Sequence, residues 1–232
     1  MVNSGQLTHD LLCRMIDHTN LKPFADHSMF ETLCREAREN HYAMVAINSV
    51  PVAECKALLK DTDVHVGAAI SFPLGQTTIE TKEFETRNAI ENGADEIDYV
   101  INLGEVKNGN WPYIEDEMKR IVAVCREGGV LVKVIFETCY LTEEEIRKVA
   151  EIARRVRPDF VKTSTGFGPA GAKVQHVALM KSVVGDDVKV KAAGGIHTWE
   201  ECKAMIDAGA ERIGTSCSAQ IVAGFDACHG RN

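Results

Sequence analysis

Eight apolar runs rich in β-branched residues punctuate the chain, near 14–18, 43–49, 64–71, 95–102, 130–137, 159–164, 188–193 and 211–215, with amphipathic stretches between them. A strand followed by a helix roughly every 30 residues returns each new strand parallel to the last, and eight such units match a TIM (β/α)8 barrel. A doubly wound open sheet is the alternative architecture. It would use about five to seven strands, and no G-x-G-x-x-G follows an early strand here.

The junctions between units repeat as well. Asn92-Gly93-Ala94-Asp95-Glu96-Ile97 and Ala208-Gly209-Ala210-Glu211-Arg212-Ile213 each carry a helix-stopping glycine, an alanine, an acid and then the first isoleucine of a strand. Gly128-Gly129 plays the same part before Val130. Thr142 with Glu145, Thr198 with Glu201 and Thr77 with Glu80 have capping-box spacing, and Pro112 after Asn110 and Trp111 suits an early helical position. No linker interrupts the pattern, so residues 1–232 are expected to form one barrel domain with a short helical extension before the first strand. A hydrophobic share of 45% is enough to fill such a core.

Charge and composition remove several function classes. A net charge of -8 without any basic run argues against nucleic acid, and no stretch is apolar enough for a membrane span. The N-terminal segment has no secretory pattern, which leads to the expectation of a cytoplasmic protein. Eight cysteines occur without C-x-x-C spacing or a zinc-like histidine pattern, so reduced thiols filling core space are expected, and no metal.

Strand alternation then exposes an anomaly. If Val188 and Val190 face the helices, Lys189 and Lys191 face the barrel axis; the same parity sends Asp98, Lys133, Glu137 and Lys162 inward. Unpaired charges cost several kcal/mol to bury, so a barrel serving only as scaffold would place aliphatic residues there. A structural ion-pair network is one reading. The other is a lysine whose proton is destabilised by crowded cations and desolvation, which makes it a nucleophile toward carbonyl carbon. Spacing alone leaves open which lysine that is.

Three late turns, Gly166-Phe167-Gly168, Gly194-Gly195 and Gly214-Thr215-Ser216-Cys217-Ser218, can present backbone N–H groups where barrels often hold phosphate. Gly166, Phe167, Gly194, Gly195, Gly214, Ser216 and Cys217 are the candidate phosphate-binding residues, against a plain tight-turn reading of each glycine. Asp17, Thr19 and Asn48, at early strand ends, are candidates for the hydroxyl-binding side, with Lys133 and Thr165. For Asp17 a cap or turn role is equally open. His18 and His197 read as turn or supporting residues.

Val161-Lys162-Thr163-Ser164-Thr165-Gly166-Phe167 and Val190-Lys191-Ala192-Ala193-Gly194-Gly195-Ile196 closely resemble the signature strands of the deoxyribose-phosphate aldolase family. Asp17-His18-Thr19-Asn20-Leu21-Lys22-Pro23, Gly93-Ala94-Asp95-Glu96-Ile97-Asp98 and Lys133-Val134-Ile135-Phe136-Glu137-Thr138-Cys139 resemble three further segments, so the likeness runs from about residue 11 to 224. It implies a class I aldolase of carbohydrate and deoxyribonucleotide catabolism that needs no cofactor and reversibly cleaves 2-deoxy-D-ribose 5-phosphate to D-glyceraldehyde 3-phosphate and acetaldehyde. It also implies Lys162 as the Schiff-base lysine, Lys191 as the lysine that perturbs it and Asp98 as the acid of the proton relay. A homo-oligomer, a dimer first, is expected. Ala46 stands where many members carry cysteine, Cys217 and Ser218 where serine and glycine are common, and the terminal His229-Gly230-Arg231-Asn232 lacks the tyrosine that ends some members. Another lysine-dependent sugar-phosphate aldolase and a phosphosugar-binding barrel without catalysis are the competing functions.

Overall fold

The computed structural model describes residues 4–230 and closes eight parallel strands into one barrel. The strands are β1 (Ile16–Thr19), β2 (Met44–Asn48), β3 (His65–Ile70), β4 (Glu96–Val100), β5 (Leu131–Ile135), β6 (Phe160–Lys162), β7 (Lys189–Ala193) and β8 (Arg212–Thr215). Ile16 pairs with Ile213, so β1 meets β8 and the sheet has no edge, which excludes the open-sheet alternative. The first apolar run is shifted: Arg14 and Met15 precede the strand and Thr19 belongs to it.

Around the barrel lie α1 (His9–Cys13), α2 (His27–Asn40), α3 (Val52–Leu58), α4 (Ile79–Glu91), α5 (Leu103–Lys107), α6 (Trp111–Gly128), α7 (Glu143–Val156), α8 (Val174–Val184), α9 (Trp199–Asp207) and α10 (Ser218–His229). The expected extension is a 3-10 turn, Ser4–Gln6, followed by α1, which is tied to α10 by a 2.8 Å contact between His9 Nδ1 and Asp226. Met1 to Asn3, Arg231 and Asn232 lie outside the described residues.

Both α7 and α9 start with complete capping boxes, from Thr142 with Glu145 and Thr198 with Glu201. The third expected box is displaced by one residue. Thr78, not Thr77, caps α4, and the Thr77 hydroxyl instead bonds Ser71 at 2.6 Å. The repeated Gly-Ala-acid junctions have a common physical basis. Gly93 and Gly209 adopt φ of 102° and 110°, and the aliphatic stems of Lys56 and Lys181 lie where a Cβ would stand. Each lysine then reaches the acid just before the next strand, Asp95 at 2.6 Å and Glu211 at 2.7 Å.

Val45, Ile97, Val132, Val134, Val161 and Val190 are fully buried or nearly so and pack outward against the helices, as the alternation predicts. Inward positions hold Asp17, Glu96, Asp98, Lys133, Lys162 and Lys191, all buried. Lys189 shares their parity but sits exposed at the N-terminal mouth, its ammonium 5.6 Å from the Phe160 ring centroid. None of the eight cysteines, all among the described residues, is joined in a disulfide. Among the described residues no helix is long and apolar enough to cross a membrane.

Candidate active site

Strand register brings the inward charges together. Lys162 is paired with Lys191 across β6 and β7, and Asp98 with Lys133 across β4 and β5. Asp98 sits at the centre. Its Oδ2 accepts from Lys162 Nζ at 2.8 Å and Lys191 Nζ at 2.7 Å, while Oδ1 accepts from Lys133 Nζ at 2.8 Å. Lys191 also contacts Asp17 Oδ2 at 2.5 Å, and Asp17 Oδ1 accepts from Arg212 at 2.6 Å. Gly214 makes this possible: a Cβ there would stand 3.1 Å from Lys191 Cε and 2.9 Å from Ala193 Cβ.

The three lysines are therefore not equivalent. Lys133 is fully buried and contacts Glu96 as well as Asp98. Burial works against its charge, but Asp98, Glu96 and Asp17 outweigh burial and hold its proton more tightly than in an ordinary lysine. Lys162 ends β6 and has a single carboxylate, which it shares. Burial lowers its pKa first; Asp98 partly restores it, Lys191 and Lys133 lower it again, and the result is about 8. Burial opposes ionisation of Asp98 too, yet the three ammonium groups overcome this and hold its carboxyl well below the usual range.

Above Lys162 opens a cavity of about 230 Å³ at the C-terminal ends of the strands, where barrels build their sites. Of the three lysines only Lys162 lines it. Thr19, Thr165, Gly166, Phe167, Gly194, Gly195, Gly214 and Ser216 line it with Lys162. Gly166, Gly194 and Gly195 have φ of 88°, 83° and 71°, which only glycine adopts without strain. Their two loops dock backbone to backbone, with Ala172 N–H donating to Gly194 O at 3.0 Å.

Several expected residues stand elsewhere. Asp17 is neither a cap nor at a strand end; it is mid-strand in β1, fully buried beneath the cavity. Lys133, Asn48 and Cys217 do not line the cavity either. Asn48 turns to Leu21 O at 3.4 Å, and the Cys217 N–H is already taken by Thr215 Oγ1 at 2.9 Å. The Phe167 N–H is likewise held by Thr165 Oγ1 at 3.0 Å. Gly214 belongs to β8, not to the turn after it. Asp98, Lys133 and Lys191 lie in the middle of their strands, so of the inward charges only Lys162 is at the C-terminal end of its strand. Glu137 does not continue the inward parity, because β5 stops at Ile135 and Glu137 takes a left-handed φ of 53°. Its buried carboxylate accepts from the Thr165 N–H at 3.2 Å and from the Thr165 hydroxyl, so it pins the loop carrying Gly166.

Lys22 and His197 also line the cavity, and neither was singled out by pattern for binding. Lys22 follows β1 in the Asn20-Leu21-Lys22-Pro23 turn, where a cation near three late glycine turns was the available signal. His197 lies with Nδ1 3.4 Å from Cys217 Sγ. His18 is buried behind the site between Ser218 and Glu36, at 2.7 and 2.8 Å.

Residues 12–231 match the family described as DeoC/LacD family aldolase. The deoxyribose-phosphate aldolase of Lactobacillus acidophilus is 56% identical over 92% of this chain and 90% of its own length. That of Bacteroides thetaiotaomicron is 52% identical over 95% and 93%. The deoxyribose phosphate aldolase of Aeropyrum pernix, described as a tetramer, superposes with a TM-score of 0.88 at 29% identity, over 95% of this chain and 93% of its own.

Proposed function

The chain belongs to the DeoC/LacD family of aldolases and is a lyase, and we propose that it reversibly cleaves 2-deoxy-D-ribose 5-phosphate to D-glyceraldehyde 3-phosphate and acetaldehyde, with Lys162 as the residue that forms the Schiff base. One observation carries the assignment of the lysine. Lys162 alone of the inward lysines reaches the cavity, and it is the one whose proton is weakly held.

The neutral Lys162 amine adds to the C1 carbonyl of the open-chain sugar, and loss of water gives an iminium. The iminium accepts the electron pair of the C2–C3 bond as the C3 hydroxyl loses its proton, releasing glyceraldehyde 3-phosphate and leaving an enamine. Protonation at C2 and hydrolysis then free acetaldehyde and the lysine. Lys191 shares Asp98 Oδ2 with Lys162, so through that carboxylate and a water molecule it can take up and return the proton. Asp98 holds both amines in place and balances the iminium charge. The phosphate is placed at the Gly166, Gly194-Gly195 and Ser216 side of the cavity, with Lys22 at its rim. Acetaldehyde and phosphosugars are the small-molecule partners; a homo-oligomer and a cytoplasmic location complete the proposal.

Incubation with acetaldehyde followed by borohydride should leave a two-carbon adduct on Lys162, mapped by peptide mass spectrometry. Acetaldehyde as the only competent donor supports the deoxyribose-phosphate reading. Turnover with dihydroxyacetone phosphate instead would replace it with a different sugar-phosphate aldolase, and no adduct at all would leave a binding barrel.

The pH dependence follows from the direction of the Lys162 shift. A pKa near 8 rather than 10.5 leaves about a tenth of Lys162 neutral at pH 7, about three-hundred-fold more than an ordinary lysine. Only the neutral amine reacts, so kcat/KM should rise about tenfold per pH unit below about 8 and level above it. A profile flat across this region would remove Lys162 from the reactive role.

The rim cation gives a second expectation. Lys22→Ala should raise KM for the phosphorylated sugar about fivefold, the worth of one partly exposed charge contact, and leave KM for unphosphorylated 2-deoxyribose unchanged. Equal effects on both substrates would place the phosphate elsewhere.

A further inference from the structure

The column of charges continues below Asp98. Lys133 joins Asp98 to Glu96, and Glu96 is held in turn by Arg212 at 3.3 Å and by His65 Nδ1 at 2.8 Å. None of these three lines the substrate cavity. Glu96, His65 and Arg212 open β4, β3 and β8, so they sit at the N-terminal end of the barrel, opposite the cavity. The His65 side chain is 47% exposed and borders a groove of about 640 Å³ that also holds Lys56, Lys60, Asp61 and Asp95. A continuous chain of contacts therefore runs from a solvent-exposed imidazole to the amine at the floor of the cavity.

We propose that Glu96, gripped by Arg212 and His65, is a positioning residue for the reaction that sets, from the far end of the barrel, the pH at which Lys162 becomes a nucleophile. The inference rests on Lys162 being the Schiff-base lysine.

Two carboxylates share the Lys133 ammonium. Lys133 Nζ is shared between Glu96 and Asp98, with Met44 Sδ at 3.4 Å as its third neighbour. While Glu96 is ionised, Lys133 need not draw on Asp98 alone, and Asp98 keeps more of its charge for Lys162. Neutralising Glu96 removes a negative charge about 7 Å down the strand from Asp98 and makes Lys133 lean more on Asp98, with Asp17 Oδ2 at 4.0 Å its other carboxylate. Both changes weaken the hold on the Lys162 proton. Arg212 acts in the opposite sense, because it occupies Asp17 and Glu96 together. Its removal deletes a positive charge and frees both carboxylates to face Lys191 and Lys133. His65 faces Glu96, Asp95 and Arg212, so a positive charge at its position offsets part of Glu96. Lys162 itself faces Asp98, Lys191 and Lys133.

The experiment is the pH dependence of acetaldehyde trapping by cyanoborohydride, with the Lys162 adduct quantified by peptide mass spectrometry in the full chain. Glu96→Gln should move the midpoint down and Arg212→Met should move it up, each by about half to one pH unit, the effect of one charge at such distances in a medium of effective dielectric about 20. His65→Lys, a change at an exposed position, should move it down by a few tenths of a unit on the same basis. A merely structural role would reduce the adduct at every pH without moving the midpoint. Folded Glu96→Gln and Arg212→Met proteins that leave the midpoint unmoved, or move it the same way, overturn the proposal. Should neither fold, His65→Lys decides alone: a lowered midpoint supports the proposal and an unmoved one overturns it. Absence of a Lys162 adduct in the wild-type protein would overturn the parent reading and this one with it, a result distinct from any midpoint shift.

Discussion

Lys162→Met should remove turnover of the sugar phosphate, lowering kcat by about four orders of magnitude or more, while leaving the protein at least as stable as wild type near neutral pH. The first half follows from chemistry: a thioether cannot form an iminium, and neither Lys133 nor Lys191 reaches the cavity to replace the amine. The second half follows from the sign of the pKa shift. A lysine lowered from 10.5 to about 8 is held protonated in the folded state at a cost of about 3 kcal/mol. That penalty is fully present below pH 8 and disappears above 10.5, because between those values the unfolded chain binds the proton that the folded one releases. The network built around Asp98 holds four cations, Lys133, Lys162, Lys191 and Arg212, against three carboxylates, Asp17, Glu96 and Asp98. Removing Lys162 balances it. Steady-state kinetics and thermal melts at pH 7 and pH 10 check both halves. Residual activity above about one per cent would sink the catalytic assignment, and a large fall in melting temperature at pH 7 would sink the electrostatic one.

The barrel was legible because its signals are local and repeated. Eight β-rich runs, glycine-stopped helices and two of three capping boxes all concern neighbouring residues, and each survives folding with shifts of one or two positions. The inward charges were legible for the same reason, since alternation within a strand needs no knowledge of other strands. What alternation lacks is depth along the axis. It made Lys189 equivalent to Lys191, although one lies at the solvent-exposed mouth and the other is fully buried. It extended the inward set to Glu137, past the end of β5, and it stopped short of Asp17, Glu96 and Arg212. The crowding of cations read from alternation alone therefore overstated the excess positive charge. The full network has one cation in excess, and the difference between Lys162 and Lys133 comes from which carboxylates each touches. That depends on register across four strands, which no single segment carries. The buried Lys82–Glu117 pair between α4 and α6, at 2.6 Å, escaped notice for a like reason.

The same register predicts an opposite outcome for the lysine one strand away. Lys133→Met should destabilise the protein by about 3 to 5 kcal/mol, the usual cost of removing one partner from a buried ion pair, seen as a fall of about 10 °C in melting temperature for a chain of this size. Asp98, Glu96 and Asp17 hold the Lys133 proton above the ordinary value despite burial, so its charge favours folding at every pH below 10.5, including the neutral range. Removing it strands Glu96 with Arg212 and His65, and leaves Asp98 Oδ1 without the donor at 2.8 Å. The loss should be partly recovered in Lys133→Met with Glu96→Gln, because the second change removes the carboxylate that the first left short of charge. A double-mutant cycle measures this directly: a double variant clearly more stable than the sum of the singles fixes Lys133 as the structural lysine of the barrel. Additive losses would mean that Glu96 and Lys133 do not rely on each other, and the division of labour between Lys133 and Lys162 would have to be abandoned.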